Sequence, residues 1–172
     1  TAEDIKAGIH RIFETMLACV YRGCSTGGIL PGGLQVKRRA KALCSDLLGG
    51  DVPNNMEDWM AAIRASSRDF VNINKWVSCF ALAVNEENAD LGRVVTSPTN
   101  GAAGVIPAVL LYYYFFCENK GIYDVQRFFL TSGEIGCMFK KGATISAAVG
   151  GCQAEIGVSS AMAAGGLTEV LG

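Results

Sequence analysis

Apolar side chains recur at three- and four-residue spacing through most of the chain, without convincing strict alternation of apolar and polar positions. The first spacing is typical of amphipathic helices, whereas alternation would indicate half-buried strands. The pattern predicts about six helices, at residues 1–21, about 34–48, about 54–88, 108–118, about 124–142 and after 152 to about 171. We therefore expect an all-α fold, a compact multi-helix domain that comprises residues 1–172.

Residues that favour helix ends mark several of these boundaries. Thr1 and Asp4 have the spacing of a capping box, and Asn54 or Asn55 can cap the region that runs to about residue 88. A serine pair near the middle of that region leaves open whether it forms one helix or two. Asp124 is predicted to cap the helix that ends near residue 142.

A segment near the carboxyl end has very little side-chain volume. Of the 25 residues from Gly142 to Gly166, 16 are Gly, Ala or Ser. Such a segment forms a stable element only where other backbones pack directly against it. We therefore expect this Gly/Ala-rich segment to be buried, with the very apolar helix at 108–118 also near the centre of the fold.

The few functional groups in the Gly/Ala-rich segment include Cys152 and Glu155. Gly150 and Gly151 permit a tight turn before Cys152, and a helix is predicted after it. The unpaired N–H groups and the dipole of a helix start favour a thiolate there. Two simpler interpretations stay open, because a free cysteine is often a small buried hydrophobe and a first-turn carboxylate often only caps N–H groups.

A polar loop precedes the helix at 108–118. Ser97, Thr99, Asn100 and Gly101 belong to the sequence SPTNGAAG, in which Asn-Gly is a turn signal. Hydroxyl and amide groups beside the free N–H groups of a helix start can bind a carboxylate. The alternative is a capped turn with no ligand.

Composition and charge exclude some classes of function. Half of the residues are hydrophobic and 18% are charged, with 15 Lys plus Arg against 16 Asp plus Glu, so no basic surface for nucleic acid is expected. The low charge suggests that another subunit or domain covers some apolar surface.

The longest apolar run, Ala108 to Cys117, is too short to span a bilayer. The basic cluster Lys37 to Arg39 is either a solvated face or a contact for an anionic substrate or a partner's carboxylates.

Cysteine and histidine usage narrows the chemistry further. The only histidine, His10, is expected to be structural or exposed, which argues against a histidine-based triad. The cysteines are odd in number and contain no C-x-x-C pair, which argues against a disulfide framework and a self-contained zinc or ferredoxin-type site. Reduced thiols and a cytoplasmic location are therefore expected. The seven positions are Cys19, Cys24, Cys44, Cys79, Cys117, Cys137 and Cys152.

Three stretches together resemble the α chain or α domain of the iron-sulfur-dependent L-serine dehydratases. The first is RGCSTGGILPGGLQVKRRA, which is similar to the family's G-x-LPGGL-x-V-x-RRA segment. The second is ENADLGRVVTSPTNGAAGVIPAVL, which is similar to RVVTAPTNGA-x-G-x-x-PAVL. The third is GATISAAVGGCQAEIGVSSAMAAGGL, which is similar to NASIS-x-AEVGCQGE-x-G-x-x-x-SMAAAGL. The three cover most of the chain, and their combination is specific.

The resemblance implies an enzyme that dehydrates L-serine to aminoacrylate, which ends as pyruvate and ammonia, with a [4Fe-4S] cluster instead of pyridoxal phosphate. Cys152 falls on the first of three cluster cysteines, and the other two are expected downstream of Gly172. The loop resembles the substrate side of the site, which implies substrate contacts from Ser97, Thr99, Asn100 and Gly101. The resemblance does not identify the general base.

The resemblance also implies partners. A serine dehydratase β domain or β chain and an oligomeric enzyme are expected, and residues 1–172 alone are expected to fold but to be colourless and inactive. The sequence has Gly-Ala-Thr at 142–144 where the family has Asn-Ala-Ser, and it lacks the family's acid near 148–150. These differences leave open a relative that acts on another small hydroxy or thiol amino acid, or a non-catalytic helical partner subunit.

Overall fold

The computed structural model describes all 172 residues and contains eight helices and no strand. The predicted all-α fold is confirmed. In chain order the helices are α1 (Ala2–Ser25), α2 (Ala40–Leu48), α3 (Met56–Ala65), α4 (Phe70–Ala89), α5 (Val105–Phe116), α6 (Ile122–Gly142), α7 (Ala147–Gly150) and α8 (Cys152–Leu171). None of them is long and apolar enough to cross a membrane.

Helix α1 begins as predicted and packs on α4. The Thr1 hydroxyl accepts a hydrogen bond from the Asp4 N–H at 3.3 Å, and the capping box is complete. Near the other end of α1, a Cβ at Gly23 would lie 2.7 Å from the Cβ of Ala83 in α4. The absence of a side chain at Gly23 therefore allows the two helices to approach closely.

The connection from α1 to α2 is longer than the pattern predicts, and the predicted start near Leu34 is wrong. The chain instead makes a short hairpin, in which Leu30 N–H donates to the Val36 carbonyl at 2.8 Å. Helix α2 starts at Ala40, where the Glu86 carboxylate of α4 accepts the Ala40 N–H at 3.2 Å. A side chain distant in sequence thus takes the place of a local cap.

The basic cluster contains one buried ion pair rather than a wholly solvated face. The Arg38 guanidinium is buried and donates to the carboxylate of Glu87 in α4 and, at 2.8 Å, to that of Asp90, the residue after α4. Lys37 and Arg39 are exposed. The carboxylates that pair with Arg38 therefore come from this chain, so Arg38 needs no substrate or partner to supply an anion.

The region from 54 to 88 forms two helices. Asn55 caps α3 by accepting the Asp58 N–H at 2.9 Å, and α3 ends at Ala65. Asp69 then caps α4 by accepting the Asn72 N–H at 2.9 Å. The serine pair, Ser66 and Ser67, therefore lies in the break between α3 and α4.

Helix α5 lies at the centre, as the apolar run predicts. The aromatic ring of Phe115 in α5 lies 6.1 Å from Trp59 of α3 and 6.0 Å from Phe80 of α4, measured between centroids. Pro107 occupies the first turn, where its missing N–H breaks no helical hydrogen bond.

Close packing between α6 and α8 accounts for glycine in the carboxyl-terminal segment. A Cβ at Gly166 would lie 2.9 Å from the Phe128 carbonyl oxygen, so the two backbones pack directly.

Asp124 is not the cap of α6, which begins at Ile122. The Asp124 carboxylate lies in the first turn of α6 and accepts the Lys120 N–H at 2.7 Å. Burial of the Gly/Ala-rich segment is confirmed only from Glu155 onward, along one face of α8, because residues 147–153 are exposed.

Candidate active site

The polar loop before α5 packs against the first turn of α8. The Thr99 hydroxyl donates a hydrogen bond of 2.6 Å to Oε2 of Glu155, which is 56 residues away in the chain. At Gly101 a Cβ would overlap Oε1 of the Glu155 carboxylate and lie 3.1 Å from its carboxyl carbon. The fold therefore brings together two segments that the sequence shows as separate motifs, and Gly101 is required by the close approach.

Glu155 is a buried carboxylate without a cation. It is 8% exposed, and its one side-chain hydrogen bond comes from Thr99. The carboxylate makes no capping hydrogen bond at the start of α8, whose N-cap is Gly151, so the interpretation as a simple first-turn cap is wrong. A buried carboxylate with one neutral donor retains acceptor capacity that an ammonium group could use.

Cys152 is the first residue of α8, as predicted. Gly151 before it has φ of 74°, which a residue with a side chain rarely adopts, and the short helix α7 precedes that turn. The Cys152 side chain is exposed within this chain rather than buried in its core. Cys152 and Glu155 are three residues apart, so they lie one helical turn from each other on neighbouring positions of α8.

The other loop residues differ in their surroundings. The Asn100 side chain is exposed, accepts a hydrogen bond from the Thr96 hydroxyl, and donates to the Asn88 side chain at 3.1 Å. Asn100 therefore holds the loop to the end of α4 and uses only part of the hydrogen-bonding capacity of its side-chain amide. Ser97 is half-buried and lines a cavity of about 300 Å³ whose other walls are mostly apolar side chains of α1 and α6. Its hydroxyl makes no side-chain hydrogen bond within the chain.

The fold also assembles a cysteine cluster that the sequence analysis missed. Cys24 of α1, Cys44 of α2 and Cys79 of α4 are buried, and their three sulfur atoms all lie within 4.8 Å of one another, close enough to bind a metal. Hydrogen bonds from the thiols of Cys24 and Cys79 lower the pKa of Cys44. The hydrogen bond between Cys24 and Cys44 also raises the pKa of Cys24. The missing C-x-x-C pair therefore did not exclude a cluster, because each sulfur comes from a different helix.

Known proteins resemble this chain along its whole length. The family model described as serine dehydratase alpha chain matches residues 1–172. The chain is 48% identical over 170 residues to L-serine dehydratase 1 of Escherichia coli K12, which covers 99% of the chain and 35% of that protein. It is 46% identical over 170 residues to the L-serine dehydratase of Streptomyces coelicolor, with 99% and 34% covered. It is 42% identical over 167 residues to that of Helicobacter pylori, with 95% and 34% covered.

The chain spans about a third of the length of these curated relatives. The full-length match of the family model and the identity above 40% agree with the resemblance of the three motifs. The chain belongs to the serine dehydratase alpha chain family.

Proposed function

We propose that this chain is the α domain of an L-serine dehydratase, which converts L-serine to pyruvate and ammonia with the help of a [4Fe-4S] cluster. The observation that carries the proposal is the hydrogen bond from Thr99 to Glu155. It joins the SPTNG loop to the helix that begins at Cys152, which supports a single site built from the two family motifs. The names of the relatives support L-serine as the substrate.

Cys152 fits the role of a cluster ligand. Its thiol is exposed at the start of α8, where an iron-sulfur cluster can reach it. No second and third cysteine join Cys152 in a group within ligand distance, so this chain supplies one of the three thiolates that the family uses. When bound, an iron without a protein ligand supplies Lewis acidity toward the serine hydroxyl.

The residues of this chain provide complementary groups for the two charges of L-serine. Glu155 is a buried anion without a cation, so it is proposed to bind the α-ammonium group. The free hydroxyl of Ser97 and the unused amide capacity of Asn100 are proposed to bind the carboxylate, next to the turn at Gly101 that leads into α5. Thr99 donates to Glu155 and thereby fixes the direction of its carboxylate. These contacts orient the substrate before any bond is broken.

The remainder of the site is proposed to come from a β domain or β chain and from further residues of the α domain. The relatives are about three times as long as this chain. We propose that these parts supply two cluster cysteines and the base that removes the α-proton. A non-catalytic role for the chain is disfavoured, because a buried carboxylate without a cation is unfavourable unless a ligand supplies the positive charge.

A comparison of two exposed cysteines tests this proposal in the full-length protein. Cys152→Ser is expected to lose iron, sulfide and pyruvate formation from L-serine, because a hydroxyl is a poor ligand for iron. Cys137→Ser is the control, since Cys137 is also exposed but lies in α6 outside the family motif. Helix content measured by circular dichroism should be unchanged in both. If Cys152→Ser retains iron and turnover, the ligand assignment is wrong.

A further inference from the structure

The three cysteines of α1, α2 and α4 meet in the hydrophobic core, away from the proposed active site. Cys24, Cys44 and Cys79 are fully buried. The Cys24 and Cys79 sulfur atoms are 3.8 Å apart, and all three lie within 4.8 Å of one another. Three buried cysteines could be simple core residues, but convergence of three sulfurs from three helices on one point also forms a ligand set.

The spacing of the sulfurs fits one metal ion. Thiolates that bind one ion at about 2.3 Å lie about 3.8 Å from one another, which is the Cys24 to Cys79 separation. An iron-sulfur cubane instead binds its thiolates at separate corners, which requires wider spacing and more space than this packed core provides. The cluster is also sealed from solvent, so a substrate could not reach it. It is therefore distinct from the centre proposed at Cys152.

A buried donor without a partner lies beside the cysteine cluster. The indole Nε1–H of Trp59 in α3 is buried and lacks a conventional hydrogen-bond partner. It lies near the Cys44 thiol without forming a hydrogen bond of normal geometry to it. A neutral thiol is a weak acceptor, whereas a metal-bound thiolate is a good one, and such N–H donors commonly support thiolate ligands. The otherwise unfavourable burial of this N–H is explained when the sulfur carries negative charge.

We propose that Cys24, Cys44 and Cys79 bind one thiophilic d¹⁰ metal ion, Zn²⁺ or Cu⁺. Soft thiolate ligands select these ions, and binding displaces thiol protons to solvent without any change of oxidation state. Cu⁺ is satisfied by three sulfurs. Zn²⁺ favours a fourth ligand, and the Ala40 carbonyl oxygen lies 3.6 Å from the Cys79 sulfur and loses the hydrogen bond from that thiol when the metal displaces its proton.

The ion has a structural role in this proposal. Helix α2 has only nine residues and a backbone start capped from α4, so it depends on tertiary contacts. One ion bound by sulfurs of α1, α2 and α4 would tie this short helix to the two long ones. The site shares no residue with the proposed active site, so either proposal can fail without the other.

Metal analysis of the full-length protein tests the proposal. The protein is produced in medium with added zinc or added copper, because a sealed site must be loaded during folding, and is purified without chelator. We expect one equivalent of zinc or copper per chain, and the medium that gives it identifies the ion. Cys44→Ala should lose this ion and retain iron, whereas Cys152→Ser should lose iron and retain this ion. Cys19→Ala is the matched control, since Cys19 is a buried cysteine of α1 outside the cluster.

A second measurement decides the matter if Cys44→Ala does not fold. Wild-type protein is unfolded and refolded anaerobically with Co²⁺, which reports on bound thiolates through a sulfur-to-cobalt charge-transfer band, and its melting temperature is compared with that of metal-free protein. The proposal predicts the band and a higher melting temperature. It is overturned by wild-type protein without zinc or copper from both media, by unchanged metal content in Cys44→Ala, or by a Cys24 to Cys79 disulfide without a bound ion.

Discussion

Replacement of Glu155 by glutamine removes one charge from a buried side chain and leaves its volume almost unchanged. The carboxylate accepts a 2.6 Å hydrogen bond from Thr99 and has no cationic partner in the chain. Because a buried charge without a counter-ion is itself unfavourable, its removal should not destabilise the free protein. We expect the free energy of unfolding, measured with urea, to change by no more than about 1 kcal/mol.

The effect of Glu155→Gln on turnover should be much larger. A hydrogen bond to a charged group contributes about 1.5–3 kcal/mol, and burial of Glu155 limits its screening by solvent. Loss of the proposed contact with the substrate ammonium therefore lowers kcat/KM for L-serine about 10- to 150-fold. Most of the loss should be in KM, because the ammonium is present in both the ground state and the transition state. The assay is steady-state pyruvate formation by the full-length protein.

Two variants of Thr99 provide the control for this reasoning. Thr99→Ser retains the hydroxyl that donates to Glu155 and should behave like the wild type, whereas Thr99→Val removes it and should lower kcat/KM. Iron content must be equal in all variants, so that a lost cluster is not mistaken for a lost contact. Wild-type kinetics in Glu155→Gln, with iron retained, would refute the proposed role of Glu155 and leave it as a residue that only fixes the loop.

Three stability predictions follow from the packing of the helices. Arg38→Met should lower the free energy of unfolding by about 1.5–3 kcal/mol in urea titrations, because the buried carboxylate of Glu87 loses its contact with Arg38 and keeps only the one with Arg22 of α1 at 3.0 Å. Gly166→Ala should lower it by about 1–3 kcal/mol, since the new Cβ would lie 2.9 Å from a carbonyl oxygen of α6, whereas Gly157→Ala in open space should raise it by about 0.5–1 kcal/mol. Burial opposes ionisation of Asp124, but hydrogen bonds still hold the pKa of its carboxyl below the ordinary value. Ionised Asp124 therefore stabilises the fold above the ordinary pKa of an aspartate, and this stabilisation is lost as the pH falls through the lowered pKa of the folded protein. Asp124→Asn should therefore reduce the dependence of stability on acid pH.

Local patterns predicted those parts of the fold that local interactions determine. The capping box at Thr1, the cap at Asn55 and the turn at Gly151 each depend on residues within a few positions, and all three are present. The start of α2 was misplaced because its N–H groups are capped by Glu86, which lies more than 40 residues away. Sequence spacing carries no signal for such a cap.

The candidate site was predictable only as separate motifs. Cys152 and the SPTNG loop were identified from family resemblance, but the contact that joins them passes through Glu155, for which local spacing favours a capping role. A burial pattern could not reveal the contact either, because α8 has small residues on most of its faces and therefore lacks a distinct apolar stripe.

The cysteine cluster shows the same limit more clearly. Motif searches recognise metal sites when two ligands lie within one turn or loop, since such pairs are close in any fold. Cys24, Cys44 and Cys79 are 20 and 35 residues apart and come together only because α2 packs in the angle between α1 and α4. The arrangement of these three helices depends in turn on close contacts such as that at Gly23 and on the buried Arg38 ion pairs. A ligand set of this kind is a property of the packing, and the sequence can indicate it only after the packing is known.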